Sequence, residues 1–149
     1  VRWIDALRCR FSAPILREGE IAPETVGVAA DGRALPIDGR WSVMFIFGRL
    51  NPTHEAYLHA LAAEAFPDDC DVFGVCASAP RRSSPIPIVV DVDGTIAHQF
   101  GATSPLGVPP TVFVINPKRR VRLANRGHPS PPAILRSIQA LKLATRARQ

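Results

Sequence analysis

The stretch Trp41-Ser-Val-Met-Phe-Ile-Phe47-Gly48-Arg-Leu-Asn51-Pro52-Thr53-His54 decides how this chain folds. Its first seven residues have the composition of a buried strand, and Gly48 ends it. Asn51 before Pro52 marks a helix start. The Asn side chain can accept an orphan amide hydrogen of the first turn, and Pro at the first helical position has no amide to leave unpaired. Tyr57, Leu58, Leu61, Ala62 and Ala65 recur at helical spacing and predict a helix from Pro52 to about Ala65. A buried strand running into an amphipathic helix is a building unit of an α/β fold.

The flanking segments extend that plan. Asp31-Gly32 between Val26–Ala30 and Ala34–Ile37 predicts a hairpin. After the helix, Pro67-Asp-Asp breaks the chain, Asp71–Cys76 reads as a second buried strand, and Ala79 to Pro87 reads as a loop. Ile88–Val90 is a third short strand, with a short helix at Thr95–Phe100 closed by Gly101. Thr111–Ile115 is strand-like through its β-branched residues, and Val121–Ala124 is its hairpin partner across Asn116-Pro-Lys-Arg. Pro131-Pro132 opens a final helix to about Ala144, with Ile134, Leu135, Ile138, Leu141 and Leu143 on one face. Trp3, Ile4, Leu7 and Phe11 predict a short helix over residues 3–11, within an N-terminal extension of residues 1–17. Residues 18–149 form one domain with a mixed sheet.

Composition excludes several classes. A chain of 149 residues, 46% hydrophobic, is long enough to bury a core without staples. Three cysteines complete no disulfide framework and follow no zinc spacing. The longest apolar run, Val43 to Phe47, falls far short of the roughly 18–20 residues of a membrane span. Arg2, Asp5, Arg8 and Arg10 interrupt any apolar signal-peptide core, so a cytoplasmic location is expected. The net charge of +5 is unevenly spread: from Lys118 onward there are nine bases and no acid. Such a tail is expected to be a solvated turn and one polar helix face. An acidic partner or nucleic acid is the weaker alternative.

Several motifs, taken together, resemble the redoxin and peroxiredoxin branch of the thioredoxin fold, the alkyl hydroperoxide reductase and thiol-specific antioxidant family. Gly19-Glu-Ile-Ala-Pro23 resembles its G-x-x-A-P opening. Ile88-Val-Val-Asp-Val-Asp-Gly94 and His98-Gln-Phe-Gly101 resemble its D-x-D-G and Y-G-V insertion. Val108-Pro-Pro-Thr-Val-Phe-Val-Ile115 resembles its P-T-x-F-x-I-D strand. The match runs in order from Gly19 to Leu143. It implies a thioredoxin-like α/β fold, a central mixed sheet flanked by helices, and oxidoreductase ancestry.

The same alignment of motifs exposes a gap. Redox-active relatives carry their attacking Cys at the helix start after the central strand, where the helix N-terminus lowers the thiol pKa. Here Asn51 stands at that position, and His54 stands where the second Cys of a CxxC would be. A carboxamide cannot form a thiolate, a sulfenic acid or a mixed disulfide. The Thr of the peroxiredoxin pattern is matched by Gly48. By resemblance, Pro110 occupies both the place of the peroxide-polarising Arg and that of the thioredoxin cis-proline, and is expected to be cis.

The candidate site residues are therefore Asn51, His54 and Cys76, with Gly48, Thr53 and Pro110 as binding positions. Asn51 and His54 read either as an N-cap beside an exposed polar residue or as a reused pocket. In the second reading His54 is a general base, because the helix dipole disfavours a cation there. Cys76 reads either as a small buried hydrophobe or as a displaced nucleophile at the sheet edge. Cys70 falls in a polar loop and is expected to be exposed. A Cys70–Cys76 bridge is not expected, because an extended chain would hold them roughly 20 Å apart. The four His are dispersed, so no metal and no cofactor are expected. The leading expectation is a binding or accessory module without ordinary thiol peroxidase activity, meeting a protein partner or small-molecule ligand at the former active-site edge. No membrane contact is expected, and a homodimer is left open. The alternatives are an antioxidant oxidoreductase using Cys76, or Cys9, or a non-redox enzyme using Asn51 and His54.

Overall fold

The computed structural model describes Trp3 and residues 15–23, 26–28, 34–36, 39–80 and 82–147. The expected helix over 3–11, Cys9 and the Asp31-Gly32 turn fall outside those residues, Trp3 aside. The strands flanking that turn, β1 (Val26–Val28) and β2 (Ala34–Pro36), pair antiparallel as a two-stranded ribbon.

The main sheet has five strands: β3 (Trp41–Phe47), β4 (Cys70–Cys76), β5 (Ile88–Val90), β6 (Thr111–Ile115) and β7 (Val121–Arg126). Their spatial order is β5-β4-β3-β6-β7. β3, β4 and β5 run parallel, while β6 is antiparallel to β3 and β7 to β6. The helices are α1 (Pro52–Ala63), α2 (Thr95–Gln99) and α3 (Pro131–Ala147). This is the thioredoxin-like α/β arrangement.

β3 is buried at all seven positions because both faces of the sheet are covered. Val43, Phe45 and Phe47 face α1 and α3, where they meet Tyr57, Leu58, Leu61, Ile134 and Ile138. Met44 and Ile46 face α2 and pack with Phe73, Phe100 and Phe113. Gly74 permits close packing on the first face: a Cβ there would lie 2.7 Å from Ile88 Cδ1. Ile15 and Leu16 pack on the opposite face.

Some boundaries differ from expectation. α1 ends at Ala63 rather than Ala65, with Glu64 already extended, because Pro67 disfavours helical backbone just before it. Its buried residues are His54, Tyr57, Leu58 and Leu61, so Ala62 gives way to His54. Cys70 is not in an exposed loop: it opens β4, pairs with Trp41 and is 9% exposed. Leu143 is exposed although α3 runs past it to Ala147.

The basic C-terminal third is partly spent on the fold. Asn116 Oδ1 accepts the amides of Lys118 and Arg120, which closes the β6–β7 turn. Arg119 adopts a left-handed φ of 63°, and its guanidinium donates to the Ala22 carbonyl. Arg120 Nη1 donates to Gly19 O, and Lys142 pairs with Asp69. The D-x-D-G motif is also structural: Asp91, buried, accepts the amides of Ile96 and Ala97 and so caps α2. Among the described residues no helix is long and apolar enough to cross a membrane.

Candidate functional site

The parallel pairing of β3 and β4 brings their C-terminal ends to one edge, with Phe47 beside Cys76. Beyond Phe47 the chain turns through Gly48, Arg49 and Leu50 into α1. Gly48 packs against Val108, and its carbonyl accepts the Ala77 amide at 3.0 Å and faces Cys76 Sγ at 3.3 Å. Asn51 is extended (φ −134°, ψ 170°), and its Oδ1 accepts the His54 amide at 2.8 Å. The side chain at the position of a redoxin thiolate is therefore engaged as a helix cap. Thr53 is half-buried in the first turn of α1.

His54 is neither an exposed polar residue nor a base open to a cleft. It is fully buried, with Nδ1 2.9 Å from the Arg49 carbonyl. Its ring centroid lies 5.2 Å from that of Phe47, 5.8 Å from Phe45 and 5.3 Å from His128. Tyr57 joins this aromatic group and donates its hydroxyl to Pro129 O. Burial holds the Tyr57 phenol above its ordinary pKa. The first turn of α1 is thus pinned by an aromatic and imidazole cluster reaching to the segment before α3.

Both described cysteines are free thiols, and both are disfavoured as thiolates. Burial raises the Cys76 thiol, and hydrogen bonding from Ser78, Leu50 and Ala77 only partly opposes it. Burial, assisted by the charge of Asp69, pushes the Cys70 thiol up to about 12. The peptide before Pro110 is trans, correcting the expected cis bond. That geometry agrees with the intrinsic preference for trans, about 0.5–1 kcal/mol at X–Pro bonds. It also agrees with the local bonding: Pro110 O accepts the Gly127 amide at 2.7 Å, and Pro109 O accepts the Thr111 hydroxyl at 3.1 Å.

The candidates do not converge on one pocket. Asn51 lines an open cleft of about 560 Å³ with Arg49, Glu55, Ser78 and Arg82. Cys76 lines a neighbouring recess of about 20 Å³ with Phe47, Leu58 and Ile88. His54 lines neither and is buried in the core beside Phe47, and Pro110 sits one strand away at the start of β6. Among the described residues no group of three or more His, Cys, Asp or Glu could hold a metal ion.

Sequence reading missed Arg126. It found only Pro110 at the place of the family's Arg, yet the β6–β7 register sets Arg126 beside Thr111, at this same sheet edge. Its Nε and Nη2 are shielded from solvent. Counting the hairpin outward from the Asn116 turn would set Asn125 beside Thr111; a bulge between Val114 and Ile115 shifts the register and brings Arg126 there instead, so no local motif carried the signal. Arg49, Ser78 and Arg82 were also missed, because a cleft joins segments distant in sequence.

No family model matches the chain, and no curated protein does so either. Solved structures do. AhpC of Mycobacterium tuberculosis superposes with a TM-score of 0.70 at 17% identity, covering 87% of this chain and 94% of that one. A Cys-to-Ser mutant of PrxQ from Xylella fastidiosa gives 0.70 at 15% identity, covering 87% and 99%. A peroxiredoxin-like protein from Aquifex aeolicus gives 0.73 at 17% identity, covering 88% and 91%. These likenesses establish the fold, a thioredoxin-like architecture that the chain shares with these proteins.

Proposed function

We propose that this chain is a peroxiredoxin-like scaffold that has given up thiol peroxidase chemistry and serves as a binding or accessory module. Its ligand or partner is met at the edge where β3 and β4 end. The observation that carries the reading is the Asn51 cap: the side chain at the helix start accepts the His54 amide and has no nucleophilic atom. Nearby thiols do not take over. Cys76 is 1% exposed and Cys70 9%, and burial disfavours ionisation of both.

Peroxide reduction by a thiol transfers one peroxide oxygen to sulfur, giving a sulfenic acid and releasing water or an alcohol. It begins from a thiolate with in-line access to the peroxide. Neither requirement is met at Cys76, whose sulfur lies against the Gly48 carbonyl.

The test is hydrogen peroxide consumption with a thiol reductant, for the unmodified chain and for Cys76→Ser. No turnover in either is the expected result. Turnover that disappears in Cys76→Ser would replace this reading with a displaced-nucleophile enzyme. Turnover that survives Cys76→Ser would also overturn it and direct attention to Cys9 or Cys70.

A further inference from the structure

We propose that the cleft between the start of α1 and the loop after β4 binds a small organic oxyanion, a carboxylate or a phosphate monoester, held between Arg49 and Arg82. The proposal rests on the binding-module reading and names the ligand class for it.

The cleft is large enough: about 560 Å³ falls within the roughly 300–1,000 Å³ of small-molecule sites. Among the described residues its walls come from residues 49–52 with Glu55 and from Ser78, Ala79, Pro80 and Arg82, so each side contributes one arginine. Neither guanidinium makes a hydrogen bond or ion pair among the described residues. That sets them apart from bases spent on the fold, such as Arg40 on Asp71, Arg119 on Ala22 O and Lys142 on Asp69. Among the described lining residues these two positive charges meet one carboxylate, Glu55, so one positive charge is left over.

The remaining donors suit an oxyanion. Asn51 commits its Oδ1 to the His54 amide, which leaves its Nδ2 hydrogens for a ligand. Ser78 lines the same wall, but its hydroxyl is engaged with Cys76, so it adds shape rather than a spare donor. The His54 amide itself is already taken, so recognition falls to side chains rather than to the helix end. Guanidinium groups match carboxylate and phosphate oxygens in paired hydrogen bonds, which favours these over a compact halide.

The apolar part of the lining limits the ligand's size. Leu50 and Pro80 are shared with the recess that ends at Cys76. That recess, about 20 Å³, has room for one water-sized group. A short body beneath the charged head fits, and a long acyl chain does not.

The experiment follows backbone amide NMR signals of the full chain during titration with propionate and, separately, with inorganic phosphate, at low ionic strength. Saturable shifts confined to residues 49–55 and 78–82 are expected, and the probe that saturates identifies the head group. Arg49→Gln and Arg82→Gln should each weaken binding by about tenfold, since a charge-assisted hydrogen bond contributes on that order. The double variant should show no saturation. Arg122→Gln removes the same charge beside a different cleft and should change nothing. Absence of saturation with both probes, or equal weakening by Arg122→Gln, would overturn the proposal. The two readings fail separately. A cleft that binds neither probe leaves the absence of peroxide turnover intact, and peroxide turnover would overturn the module reading whatever the titration shows.

Discussion

Asn51 and Cys76 occupy neighbouring positions in the architecture and opposite positions in chemistry. Asn51 follows the end of β3 and Cys76 is the last residue of the adjacent parallel β4, at the edge where α/β folds gather their sites. Asn51 sits at a helix start, where the macrodipole and free amides favour negative charge, yet it carries a neutral carboxamide. Cys76 carries an ionisable sulfur, yet burial disfavours its charge. The environment for a thiolate and the thiol itself are one strand apart. An active-site edge is thus not a single environment, and a nucleophile cannot be moved along it without losing what made it reactive.

The largest effect that would break this contrast is in thiol reactivity. In a Cys9→Ser background at about pH 8, Cys70 should react with an aromatic disulfide far more slowly in the native chain than in urea. Its shift from 9.0 to about 12 alone implies about a thousandfold less thiolate. Cys76 should also be slow, whereas Asn51→Cys should add a rapidly reacting thiol at the helix start. Comparable rates at all three positions would erase the distinction. The same shifts set a pH dependence. A thiol whose folded pKa is raised contributes stability that is complete below its ordinary value of 9.0 and is lost as pH rises toward the folded value of about 12. The urea midpoint should therefore fall above about pH 9, and Cys70→Ala should flatten that fall.

The next effect concerns what lies under the helix start. Removing the buried His54 ring leaves a void against Phe45, Phe47 and His128, so His54→Ala should cost about 3 kcal/mol, or about a hundredfold in the folding constant. A loss near zero in urea denaturation would mean that the ring is not part of the core. The smallest effect sharpens the role of the cap. Asn51→Ala should cost about 1 kcal/mol, while Asn51→Asp keeps an acceptor for the His54 amide and should cost almost nothing. Equal losses in the two variants would show that the capping bond contributes nothing.

Much of this was legible in the chain. Thr111–Ile115 matched its strand limits because β-branched residues flanked by a Pro turn and an Asn turn leave little choice. Asn51-Pro52 marked the helix start because capping is a local interaction. The burial of His54 was not legible, since polar type argued for exposure and only the depth of the Phe45 and Phe47 layer decides it. Arg126 reached the site edge through strand register, a relation between β6 and β7 that no window of sequence contains. The Pro109–Pro110 bond was expected from resemblance alone, and the chain holds the ordinary isomer. The anion cleft needed two segments nearly thirty residues apart, which only the fold brings together.

The Gly48 carbonyl receives the Ala77 amide and faces the Cys76 thiol, so one oxygen fastens the ends of β3 and β4. Cys76 is 1% exposed and its recess admits only a water-sized group, so a bulky thiol reagent reaches that sulfur only when this clasp parts. Cys76 is thus a native clock for breathing of the sheet: its labelling rate under conditions of fast reclosure measures how often the site edge opens, with no probe introduced. Any ligand that braces residues 49–52 against Ser78, Pro80 and Arg82 would slow that clock, and the chain would report its own occupancy through a native sulfur.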